Sequence, residues 1–214
     1  MLRIKTNTKP LLEAVRAILP ITRNVDDIPV LFNVQVRSLK AGIVLTATDR
    51  YRLVMQHVPC EVEGDGGFLV NPDSLRRVLS IDVYGAPASR RVTLEHHGDD
   101  MHRLGVITTN SETQMNLFEN PEVFPKIERI VRDSIATTVE KELDARMVVG
   151  TIRPAGELAG QSVTIGLNEE NDLLTSRSAD HFGLQKAIRR DAPTNKLDPW
   201  MAEYLEKYAK KEQA

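Results

Sequence analysis

The stretch LTATDRYRL, residues 45–53, ends an apolar run in a threonine and an aspartate, then sets two arginines around a tyrosine. Three readings are open for it: a catalytic aspartate, a nucleic-acid contact, or the rim of a docking groove. Its surroundings are regular. VLFNVQVRS and GIVLTATD, with YRLVMQHV after them, alternate β-branched and apolar residues and read as strands joined by short polar connections. Ahead of them KPLLEAVRAIL, residues 9–19, places Leu11, Leu12, Val15, Ile18 and Leu19 on one helical face, with Pro10 suited to the first turn and Pro20 to the stop.

The order then recurs. After FLVNP, the segment DSLRRVLSI offers Asp73 as an N-cap and Leu75, Val78 and Leu79 as a buried stripe, and RRVTLEHH, HRLGVITT and TQMNLFE follow as strands. A third round opens near TTVEKELDARMVVGTI and continues through QSVTIGL, DLLTSRS and FGLQKAI. The chain therefore reads as three helix-plus-three-strand units of roughly 60 residues, a period at which repetition carries architectural meaning. Two such units, each with one apolar helix stripe and one apolar sheet face, close a two-layer α+β domain. ENPEVFPKIER, residues 119–129, punctuates the chain after the pair. A second proline-bearing loop, DAPTNKLDP, precedes a terminal helix carrying Trp200, Tyr204, Leu205 and Tyr208 near one side.

Composition narrows the function. The 214 residues suffice for a real core, and 28 Lys and Arg against 30 Asp and Glu require any nucleic-acid role to come from a local basic face. A single cysteine, Cys60, forms no internal disulfide and is read as a strand residue. With no signal-peptide-like start and no stretch of membrane-span length, a cytoplasmic protein with no membrane partner is expected. No glycine-rich loop precedes a lysine, so no nucleotide cofactor is expected, and GDGG at 64–67 reads as a hairpin-type turn. HHGDDMH, residues 96–102, gathers imidazoles and carboxylates that suit zinc or manganese, and a metal-bound water would make a hydrolase. Against that, G-D-D between alternating strands is turn chemistry, and His96 and His97 point to opposite faces of a strand, so no metal site is assigned.

PVLFNVQVRSLKAGIVLTATDRYRLVMQHVP, then GGFLVNPDSLRRVLS, then FENPEVFPKIERI, resembles the middle domain of the bacterial sliding clamp, the β subunit of DNA polymerase III. The family's L-x-x-V stretch, A-T-D-x-x-R-L turn, strand leading to a proline and second helix, and later F-P dipeptide all have counterparts here in order and spacing. The resemblance implies the DNA-clamp fold, with 1–122 as a middle-domain-like domain, 123–192 resembling the first half of the third domain, and 193–214 as a helical tail. It implies a non-enzymatic replication processivity factor that binds double-stranded DNA without sequence specificity, meets polymerase and clamp loader, and assembles as a homo-oligomer. The partner-peptide pocket it implies comprises Leu31, Thr48, Arg50, Tyr51, Arg52, Leu53, Pro125 and Ile130, with Asp49 structural. For DNA contact it implies Arg16, Arg23, Arg76 and Arg77, on or just after the helices. The expected departures are the absence of a first domain and of the second half of the third, which leaves the pocket half built. The reduced size is read as phage-like. The competing reading is a clamp-derived adaptor or decoy that never encircles DNA, with the tail helix covering the unpaired third unit or serving as a docking helix.

Overall fold

The computed structural model describes residues 1–22, 28–49, 53–81, 90–97, 103–108, 111–118, 123–129, 131–132, 164–168, 173–178, 181–186 and 199–209. Contacts divide the chain into one unit of Met1–Arg129 together with Asp198–Ala214, and a second of Ile130–Leu197.

In the first unit the order is β1 (Leu2–Asn7), α1 (Thr8–Thr22), a 3₁₀ turn (Pro29–Phe32), β2 (Val34–Leu39), β3 (Gly42–Thr48), β4 (Leu53–Pro59), β5 (Glu61–Glu63), β6 (Gly67–Val70), α2 (Pro72–Ile81), β7 (Arg91–His96), β8 (Arg103–Thr108) and β9 (Glu112–Asn116). The repeat is therefore longer than helix plus three strands, because a strand precedes each helix. β1 joins the second repeat's strands in the order β5-β1-β7-β8-β9, while β6 joins the first repeat's strands in the order β4-β3-β2-β6. The two repeats thus exchange their leading strands, and neither sheet is complete without the other repeat. LRIKTN qualifies for this role by alternation: Leu2, Ile4 and Thr6 are buried and Arg3 and Lys5 are half-exposed.

Helices α1 and α2 pack on the inner faces of both sheets. One cluster holds Leu11, Val15 and Ile18 of α1, Leu75 and Leu79 of α2, Val36, Ile43 and Leu45 of the four-stranded sheet, and Ile4, Leu94 and Val106 of the five-stranded one. Ile4 is 0% exposed, and burial of such a side chain contributes about 2 kcal/mol.

Several local expectations are corrected. VLF does not open a strand; Pro29 starts a 3₁₀ turn instead, and the ladder begins at Val34. Pro20 does not stop α1, which runs to Thr22, because it sits on the exposed face, where the carbonyl four residues earlier, at Arg16, can turn to water in place of the missing N–H. The α2 cap is Asn71, whose Oδ1 accepts from Ser74 N at 3.0 Å, and Asp73 sits in the first turn. Cys60 lies between β4 and β5 and not in a strand, since the ladder with β3 ends at Pro59 as the chain leaves for the other sheet. GDGG is correspondingly not a hairpin turn: β5 pairs with β1 and β6 with β2, so it carries the chain between sheets. Gly64 there has φ 91°, and a Cβ would collide with the Met1 carbonyl.

In the second unit β10 (Thr164–Asn168), β11 (Leu173–Ser178) and β12 (His181–Lys186) form an antiparallel sheet in chain order. The last element, α3 (Pro199–Ala209), belongs to the first unit and packs on its four-stranded sheet.

Candidate functional site

The stretch 45–53 straddles a hairpin. Its described ends, Thr48 on β3 and Leu53 on β4, are register partners. Alternation sets which way they point. Ile43, Leu45 and Ala47 join the inner core, so Val44, Thr46 and Thr48 face outward, opposite His57, Met55 and Leu53. Thr48 and Asp49 are buried and Leu53 is half-buried.

Two apolar clusters cover this outer face. Leu31 packs there with Val30, Leu69 of β6 and Phe124, and Pro125 follows half-buried. The fold thus brings Leu31 beside the segment that carries Pro125, although Leu31 itself is 2% exposed. Arg50, Tyr51, Arg52 and Ile130 lie outside the described residues.

The second cluster lies beneath α3: Leu39 and Val44 with Tyr204, flanked by Met55, Trp200, Leu205 and Tyr208. Its contacts are specific as well as apolar. The Trp200 ring stacks on His57 at 5.3 Å and 6°. The Lys207 ammonium donates to Ser38 O at 2.7 Å and reaches Asp65 Oδ1 at 2.7 Å, and Tyr208 donates to the same carbonyl at 2.7 Å. Lys207 holds the Asp65 carboxyl below the usual range.

Between the clusters sits a polar node that sequence reasoning missed. The Arg37 guanidinium on β2 pairs with Glu128, whose side chain is 2% exposed. Tyr204, 0% exposed, closes over the pair, with its hydroxyl 3.5 Å from Glu128 Oε1 and 3.4 Å from Arg37 Nη1. Burial raises the Tyr204 phenol well above its ordinary value. The guanidinium also stands 4.5 Å from the Tyr208 ring centroid. No local signal marks this node, because Arg37 occupies an outward strand position where a solvated charge is ordinary, and Glu128 is 91 residues away.

Of the residues expected to contact DNA, three lie on the two helices. Arg16 on α1 and Arg77 on α2 are exposed, while Arg76 is half-buried and tied to Asp73 at 3.3 Å. Arg23 lies outside the described residues. The two helices carry Lys9, Arg16, Arg76 and Arg77 against Glu13 and Asp73, a modest positive balance.

Of the histidine-rich span, His96 tilts against Phe68 at 5.5 Å while His97 is exposed beside Glu95 at 3.7 Å; Asp99, Asp100 and His102 lie outside the described residues. No cluster of potential metal ligands occurs among the described residues. Among them, too, no helix is long and apolar enough to cross a membrane. Cys60 borders a cavity of about 460 Å³ with Lys5, Asn7, Pro10, Glu61 and Arg91, and burial pushes its thiol up to about 11.

No family model matches the sequence, and no curated protein matches it. Solved structures do. Caulobacter crescentus pol III beta shares 15% identity at a TM-score of 0.61, over 97% of this chain and 58% of its own. The DNA polymerase III subunit beta of Pseudomonas aeruginosa shares 16% at 0.62, over 89% of this chain and 51% of its own. The Helicobacter pylori beta clamp, solved bound to a DNA ligase peptide, shares 13% at 0.59, over 95% of this chain and 58% of its own. The chain spans between 51% and 58% of the length of these three clamp subunits. Paired strand-exchanging repeats, helices on one side and sheets on the other, give this chain the fold of the DNA polymerase III β-subunit sliding clamps.

Proposed function

We propose that the chain is a non-catalytic, sliding-clamp-like processivity factor. It holds duplex DNA against α1 and α2 without reading sequence, and it docks replication proteins, polymerase among them, on the face bearing Thr48, Leu53, Leu31 and Pro125. The observation that carries this reading is the clamp architecture itself, with exposed arginines on the paired helices opposite the sheets. Arg16 and Arg77 suit phosphate contact: exposed guanidiniums on a rigid helix pair neutralise a backbone and release counterions. Arg76, already engaged by Asp73, contributes less.

The test is the salt dependence of duplex binding. Arg16→Glu with Arg77→Glu should weaken association and lower the salt slope by about 2, one for each phosphate no longer neutralised. An unaltered slope would remove the helices from the DNA interface. Light scattering across concentrations bears on the ring: a closed oligomer supports encirclement, and a monomer throughout replaces it with a non-encircling adaptor. For the docking face, Leu53→Asp should abolish binding of the ligase peptide seen on the Helicobacter pylori clamp, because it places a charge in an apolar seat.

A further inference from the structure

We propose that the buried node of Arg37, Glu128 and Tyr204 is a positioning device for the docking face, through which the C-terminal helix sets peptide affinity. This rests on the docking reading above. The segment 123–129 is held on the outer face of the four-stranded sheet at two points. Phe124 packs on Leu69 of β6 together with Leu31, and four residues later Glu128 pairs with Arg37 of β2. Pro125 lies between these anchors. Freeing the Glu128 end therefore loosens Pro125 and the seat it shares with Leu31.

Tyr204 makes the Glu128 anchor depend on α3. Its ring is wholly buried against the pair and its hydroxyl stands within 3.5 Å of both charged groups, so it shields Glu128 from water while Arg37 keeps 22% of its side chain exposed. An ion pair with one partner enclosed in this way is stronger and more directional than one open to solvent on both sides. Such a pair adds little net stability against an apolar replacement and instead fixes geometry, which is what a positioning role needs. Lys207 and Tyr208 on Ser38, and Trp200 on His57, secure the helix on both sides of Tyr204.

The experiment uses the full chain, the labelled Helicobacter pylori ligase peptide in fluorescence anisotropy, and the emission of Trp200, the only tryptophan, as a report of tail seating. Tyr204→Ala should weaken the peptide about tenfold with duplex association unchanged, and Tyr204→Phe, which keeps the ring, should restore affinity to within about threefold. Glu128→Gln, which keeps side-chain shape, should also weaken it about tenfold and serves where Tyr204→Ala fails to fold. Peptide affinity within about twofold of the parent in Glu128→Gln, or in a folded Tyr204→Ala with altered Trp200 emission, overturns the inference. A parent chain that binds no peptide overturns the docking reading instead, and is told apart because no variant is needed to see it.

Discussion

On the five-stranded sheet the outward side chains form a solvated ladder: Arg3 bonds Glu95 at 2.6 Å and Lys5 bonds Glu63 at 2.6 Å across neighbouring strands. On the four-stranded sheet the corresponding side is apolar and closed, with Leu39 and Val44 beneath Tyr204 and Leu69 beneath Leu31 and Phe124. The inner faces are alike, since both sheets bury aliphatic side chains against the same two helices. The symmetry of the repeats is therefore broken on one surface only. That surface takes the tail helix, the segment bearing Pro125, and the hairpin end bearing Thr48 and Leu53. An apolar sheet face needs covering, here by elements of the same chain, and one laced with charge pairs can stay bare.

The contrast is open to direct attack, and the sharpest blow is an asparagine placed on each outer face. Val44→Asn puts an amide under Tyr204 and should cost about 3 kcal/mol by urea unfolding. Ile107→Asn, outward on β8 and half-exposed, should cost below about 1 kcal/mol. Equal costs would mean that α3 does not seal its sheet. The next largest difference separates the two ion pairs. Glu128→Ala strands Arg37 and should cost about 2 kcal/mol, less than a fully enclosed pair because Arg37 remains 22% exposed. Glu95→Ala, facing a half-exposed Arg3, should cost below about 1 kcal/mol and less still in high salt.

The smallest effect lies where the chain passes between the sheets. The Cys60 thiol is pushed from 9.0 to about 11, so at pH 8 it should alkylate about a hundred-fold more slowly than an exposed thiol, accelerating as pH nears 11. Because the folded thiol holds its proton more tightly than the unfolded one, its contribution to stability is complete below pH 9 and falls as pH rises through about 11. Iodoacetamide rates across pH measure the first, and unfolding midpoints the second.

Much of the fold was legible. The aliphatic spacing of α1 and α2 and the alternation of β2, β3, β7 and β8 each identify their element. The leading strands were harder. LRIKTN is six residues at a terminus and FLV sits against a proline, and neither shows that it pairs with a sheet from the other repeat. Of the proposed docking face, Thr48 and Leu53 were legible as close in sequence, and the assignment of all four residues, Leu31 and Pro125 included, came through family resemblance. Arg37 and Glu128 were not legible at all.

What the sequence by itself determined is which faces are apolar, because side-chain period and backbone geometry are local and are written into neighbouring residues. What only the tertiary structure decided is which surfaces those faces meet. The exchange of β1 and β6, the seating of α3 on the four-stranded sheet, and the closure of Tyr204 over Arg37 and Glu128 join residues 30 to 170 positions apart. Such contacts form because burial and hydrogen bonding act through space, and no local pattern encodes the partner.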